Sequence, residues 1–311
     1  MVDRDDVLAA QRRIADRVRR TPLIDVSTTE QRLWLKCEHM QHTGVFKTRG
    51  AFNRMLAARE GGDLDADVGI VVASGGNAGL ANAFAAAALG VPANVFVPEN
   101  APPVKVARLR GYGANVHQVG QQYAEAFDAA VAFCDEHGAL LVHAYDQPEV
   151  VAGAGTIGEE ILEDLPETDT IVVAVGGGGL YAGIAAAAAG RAHVVAVEPS
   201  VIPTLHASLA AGEPVDVDVS GITADSLGAR RVGGIAFDIA RRHPPTSVLV
   251  TDDAIVEARF ALWERYRIAA EHGAAAAYAG LTSGAYQPRP GERVVVIVCG
   301  ANTDASTLIR N

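Results

Sequence analysis

The sequence predicts an α/β protein of two lobes, each a mostly parallel twisted sheet flanked by helices, with a cleft between them. Three observations carry this expectation. At 311 residues the chain exceeds what one hydrophobic core usually organises. Short Val/Ile-rich runs alternate with Ala-rich helical stretches along most of the length, and unbroken apolar strands between helices belong to parallel sheets covered on both faces. The strand–helix–strand unit also occurs twice, around residues 69–97 and again around 171–197.

Taken in order, residues 1–20 alternate charges with apolar residues and read as an amphipathic surface helix rather than a secretory leader. Residues 69–73 form a buried strand, 78–89 a helix, and 93–97 the next strand, which Pro98 stops. A helix at 104–110 leads to a strand at 114–117. In the second half, strands at 170–175 and 193–197 flank a helix at 180–189, and 293–298 is a last continuous apolar strand. Two mostly apolar stretches, 78–97 and 171–190, reach the length of a membrane span, about twenty residues. Asn82, Gly90, Pro92 and Asn94 interrupt the first and a run of glycines the second, so each reads as a buried helix joined to a buried strand.

Composition narrows the function classes. Hydrophobic residues make up 49% of the chain, which excludes a disordered protein. The net charge of −11, with no basic block, argues against nucleic acid or an anionic membrane as partner. A site for an anionic ligand must then be built locally, from backbone amides or a few placed cations. The three cysteines, Cys37, Cys134 and Cys299, show neither a disulfide framework nor zinc spacing, which fits a reducing, cytoplasmic compartment. His39 and His42 stand near Cys37, but no second ligand pair follows, and no metal is expected there.

Three short segments carry chemistry. Gly176, Gly177, Gly178 and Gly179 lie between a strand and a helix led by Leu180. Such a turn lets several amides converge on one anion at a helix N-terminus, with phosphate the natural guest. It also reads as a plain tight turn, or as a dinucleotide loop with Glu198 as the acid about twenty residues on. Tyr181 and Leu180 occupy positions where that fingerprint wants glycine. The second segment, Ser74-Gly75-Gly76-Asn77-Ala78-Gly79, is another strand-to-helix turn, able to hold a carboxylate or simply to cap its helix. The third, Val45-Phe46-Lys47-Thr48-Arg49-Gly50, sets Lys47 beside an aromatic ring. A lysine near an arginine is ordinarily solvated surface charge.

Together with Asn77 and Cys299, these segments resemble the pyridoxal-phosphate enzymes of the tryptophan-synthase β-like family, fold type II, and most closely its serine/threonine dehydratases. The lead-in from Lys36 to Gly44 resembles that family's K-x-E-x-x-Q-x-T-G, and Val296-Ile297-Val298-Cys299-Gly300 its segment facing the pyridine nitrogen. The resemblance implies pyridoxal 5'-phosphate as cofactor, carried by Lys47 as the catalytic residue. Phe46 would pack on the ring, Asn77 would meet the cofactor's 3-hydroxyl, and Cys299 would face its nitrogen. Gly176, Gly177, Gly178, Gly179 and Leu180 would hold the phosphate, with Gly228 of the Asp225-Ser226-Leu227-Gly228 segment close by. Ser74, Gly75, Gly76, Asn77 and Ala78 would bind the substrate carboxylate. It further implies a large cofactor-binding domain of residues 1–38 and 143–311, an inserted small domain of 39–142, and a homodimer.

The implied reaction is β-elimination of a β-hydroxy amino acid, serine or threonine, to a 2-oxo acid and ammonia. A serine racemase, a dehydratase for another β-hydroxy amino acid, and a nicotinamide-binding Rossmann oxidoreductase are the alternatives. A thiol at Cys299 is a weaker partner for the ring nitrogen than a carboxylate, which favours prompt elimination over transamination. Departures from the family pattern are informative. Gly75 stands where the racemases carry the serine that acts opposite the lysine. Thr204 stands where cation-binding members place an acid six residues after Glu198, so a divalent ion is not expected. Glu271 and His272 match a Glu-Pro-x-Gly segment and read as a helix start. The chain ends soon after Cys299, and feedback control by an end-product amino acid is not expected.

Overall fold

The computed structural model describes residues 1–309. Helix α1 (Arg4–Ile14) opens on a capping box, in which Asp3 accepts from the amides of Asp5 and Asp6 and Asp6 answers to the amide of Asp3. Val7, Ala10 and Ile14 put its apolar stripe inward. A short antiparallel pair follows, β1 (Leu23–Asp25) with β2 (Arg32–Lys36), and then α2 (Lys47–Gly61).

The next stretch is a run of parallel units: β3 (Ile70–Ala73), α3 (Asn77–Leu89), β4 (Ala93–Val97), α4 (Pro103–Gly111), β5 (Asn115–Gln118), α5 (Tyr123–His137) and β6 (Leu140–Leu141). These strands form one four-stranded parallel sheet in the order β5-β4-β3-β6. Every residue of β3 and β4 is buried, as expected for a strand covered on both faces.

The chain then builds α6 (Pro148–Asp164), β7 (Thr170–Ala174), α7 (Gly179–Ala188), β8 (His193–Pro199), α8 (Thr204–Ala211), α9 (Ala224–Leu227), α10 (Gly234–Arg242), β9 (Thr246–Val250), α11 (Asp252–Tyr266), α12 (His272–Thr282) and β10 (Arg293–Ile297). A six-stranded sheet results, ordered β1-β2-β10-β7-β8-β9, parallel everywhere but at the β1–β2 edge. Helices α6 and α7 meet at Gly155 and Gly183, where a Cβ on Gly183 would stand 2.5 Å from the Gly155 nitrogen. That backbone contact anchors α7, whose first turn faces the cleft.

Three of the sequence-named segments leave parallel strands at their carboxyl ends: the 74–78 turn follows β3, the 176–179 turn follows β7, and Cys299 follows β10. Crevices beyond the carboxyl ends of parallel strands are where open α/β sheets hold ligands.

Candidate active site

Lys47 is brought in by pairing between distant segments. The strand exit after β10 runs antiparallel to the residues before α2: the Phe46 amide donates to the Cys299 carbonyl (3.1 Å), that of Ala301 to Gly44 (2.8 Å), and that of His39 to Val298 (2.8 Å). Lys47, first residue of α2, is thereby set beside Cys299. Its Nζ donates to the Ala144 carbonyl at 3.0 Å and lies 5.2 Å from the centre of the Phe46 ring. Burial holds the Lys47 amine below its ordinary value, with Cys299 and Glu271 acting in the opposite direction. Burial also raises the Cys299 thiol, so the side chain stays neutral.

The neighbouring arginine is no surface charge. Arg49 is fully buried and forks to two carboxylates, donating to Glu38 at 2.8 and 2.9 Å and to Glu160 at 2.7 and 3.0 Å. Lys36, also fully buried, donates to Glu160 at 2.6 Å. These charges tie β2 and α6 to the first turn of α2 and fix the start of the helix that carries Lys47.

The 176–179 turn is a cradle with no room for side chains. A Cβ on Gly176 would lie 2.9 Å from the Leu227 backbone, and one on Gly177 would strike the Tyr145 ring at 2.5 Å. Gly178 has φ +88°, a left-handed conformation natural to glycine. The amides that open α7 have no carbonyl one turn back to bond to, and the helix dipole adds positive potential. A phosphate fits both.

In the 74–78 turn the Gly76 amide donates to Ser74 Oγ at 3.3 Å. Asn77 opens α3, and its side chain is held at both ends. Nδ2 donates to Glu271 Oε1 at 2.7 Å, while Oδ1 accepts from Asn302 Nδ2 at 2.6 Å. Glu271 occupies the N-cap position of α12, as a helix start requires, yet its carboxyl does not cap the helix but turns inward to Asn77. It is 7% exposed, and burial pushes it up to about 7. An acid before an alanine run looks the same in sequence whether it caps or enters a site, so this role was not legible there.

A cavity of about 610 Å³ joins these parts, and every site residue named from the sequence lines it: Phe46, Lys47, the 74–78 turn, the 176–180 turn, Gly228 and Cys299. Glu271, His143 and Tyr145 line it as well and were missed. A match to the family model described as pyridoxal-phosphate dependent enzyme spans residues 14–300. The chain belongs to the pyridoxal-phosphate dependent enzymes. The L-threonine ammonia-lyase of Geobacter sulfurreducens is 40% identical, over 96% of this chain and 75% of its own length. The phenylserine dehydratase of Ralstonia pickettii is 34% identical, over 99% and 96%. Maize serine racemase superposes with a TM-score of 0.89 at 32% identity, covering 99% of this chain and 95% of its own.

The residues present fit the cofactor: an amine made less basic by burial, a neutral thiol next to it, and a glycine cradle at a helix N-terminus. The dinucleotide alternative fails on Glu198, which is fully buried, accepts from the amides of Leu205 (2.7 Å) and His206 (2.8 Å), and lies with Oε1 3.1 Å from Thr204 Oγ1. It has no free edge for a ribose. The same bonds leave one carboxyl with neutral neighbours, a poor donor set for a divalent ion. No group of three or more His, Cys, Asp or Glu able to hold a metal occurs among the described residues.

Proposed function

We propose that the chain is an ammonia-lyase that eliminates the β-hydroxyl of L-serine or L-threonine to give a 2-oxo acid and ammonia. The observation that carries this reading is Lys47 in the cavity that both glycine turns line, beside a neutral Cys299. Pyridoxal phosphate, when bound, supplies the electron sink that lets Cα give up its proton. Lys47 would carry the cofactor, and its amine, made less basic by burial, would take that proton as general base. The amides and hydroxyl of the 74–78 turn would hold the substrate carboxylate, and the amides opening α7 would hold the phosphate, with Gly228 lining the same cavity. Asn77 gives one amide hydrogen to Glu271, and the other would be available to the cofactor's 3-oxygen. Phe46 would pack on the ring, and the Cys299 thiol, kept neutral by burial, would stand beside its nitrogen without protonating it.

Gly75 offers no group to return a proton to Cα on the face opposite the lysine, which favours elimination over racemisation. The same reading takes residues 1–38 and 143–311 as the cofactor-binding domain and 39–142 as the small one. It is supported by the two sheets, whose strands divide along those lines. It also takes the protein as a cytoplasmic homodimer; the three free cysteines agree with a reducing compartment. No helix among the described residues is long and apolar enough to cross a membrane. The test is 2-oxo acid release from a panel of β-hydroxy amino acids. L-threonine or L-serine should lead it, and a panel with no turnover would overturn the reading.

A further inference from the structure

Glu198 is a fully buried carboxyl that the proposed chemistry does not use, and it sits at the end of β8, next to the strand that feeds the glycine cradle. Its neighbour Thr204 makes the contact that matters. Thr204 Oγ1 donates to the carbonyl of Gly176 at 2.6 Å and lies 3.1 Å from Glu198 Oε1. Both side chains are fully buried, so water does not compete for these bonds.

A trans peptide is planar, with its carbonyl and amide pointing opposite ways. Holding the Gly176 carbonyl toward α8 therefore turns the Gly177 amide away from α8. The next peptide is fixed in the same manner, because the Gly177 carbonyl accepts from the Gly233 amide at 2.9 Å. Leu227 closes the other side of Gly176. Glycines have the widest backbone freedom of any residue, so an anion nest made of them keeps its shape only where its carbonyls are tied down. The hydroxyl has one proton, and the shorter bond assigns it to Gly176. The contact with Glu198 then closes best when the carboxyl carries a proton of its own, in keeping with burial pushing Glu198 up to about 7.

We propose that Thr204 is a positioning residue for the cofactor's phosphate end: its hydroxyl pins the Gly176 carbonyl, and Glu198 holds that hydroxyl in place. This rests on the reading of the 176–179 turn as the phosphate cradle. Thr204 touches neither substrate nor cofactor and acts through the backbone of the nest.

The experiment titrates apoprotein with pyridoxal phosphate, following the visible absorbance of the bound form, and records apoprotein melting in parallel. Thr204→Val keeps the shape and loses the hydroxyl, Thr204→Ser keeps the hydroxyl, and Gly177→Asp places an anion in the cradle itself. Thr204→Val should weaken cofactor binding about tenfold, the weight of one lost hydrogen bond, about 1.4 kcal/mol. Thr204→Ser should bind as the parent protein does, with an apoprotein melting temperature close to that of Thr204→Val. If Thr204→Val binds as the parent does while Gly177→Asp does not, the cradle stands and the proposal is overturned. If Thr204→Ser binds as weakly as Thr204→Val, the hydroxyl is not the cause and the proposal is again overturned. Undiminished binding by Gly177→Asp would instead remove the cradle reading on which the proposal depends.

Discussion

Replacing Arg49 by leucine isolates what the buried charges beneath the lysine contribute. The cluster is neutral as built, with Arg49 and Lys36 facing Glu38 and Glu160. Arg49 supplies both nitrogen donors that reach Glu38 and two of the three charged bonds to Glu160. Without it, Glu160 keeps Lys36, whereas Glu38, fully buried, keeps only the Thr21 hydroxyl. Removing one partner from a buried pair costs about 3–5 kcal/mol, because the other charge stays desolvated and uncompensated. Urea unfolding of apoprotein near pH 7.5 should show that loss as a lower midpoint at unchanged slope. Arg49→Leu combined with Glu38→Leu should recover most of it, since a buried pair exchanged for apolar groups is often neutral. A single variant within about 1 kcal/mol of the parent, or a double variant no more stable than the single, would refute the reasoning.

Lys47→Ala should lose the visible absorbance of the bound cofactor and its borohydride-reducible link; peptide mapping that labels another lysine would show the attachment site is wrong. Gly75→Ser should raise D-serine formation from L-serine, because a Cβ there meets only the Val97 side chain, Cγ1 at 3.3 Å, and the position lines the cavity; no D-serine from a well-folded variant would count against the assigned face. Glu198 and Glu271 hold their protons to about pH 7 in the folded apoprotein, against 4.5 in the unfolded chain. The folded state thus binds more protons across that window, and stability should fall as pH rises through it, by about 3 kcal/mol per group. Glu198→Gln should flatten the slope of unfolding free energy between pH 5 and pH 8, and an unchanged slope would contradict the assignment.

Much of this architecture was legible because its strands are apolar on both faces. Residues 69–73, 93–97 and 170–175 read as buried strands because apolar residues dominate them, and glycine turns mark where the first and the last of these bend into a helix. The lysine and Cys299 were legible only through their company, as neither residue alone differs from surface charge or core packing. The β1–β2 pair escaped because β1 is an edge strand of three residues, mostly exposed and too short to show an alternating pattern. Arg49 and Glu160 escaped because ion pairing across more than a hundred residues leaves no local pattern; the one hint is a pair of adjacent acids, Glu159 and Glu160, within the apolar stretch from Val150 to Leu162 of α6. Glu271 and Thr204 act through contacts that only the fold creates.

The fate of L-serine tests the elimination reading most directly. Purified protein with bound pyridoxal phosphate, given L-serine, should release pyruvate and ammonia in equal amounts, with D-serine forming far more slowly. D-serine appearing as fast as pyruvate, or neither product appearing while the cofactor stays bound to Lys47, would contradict it.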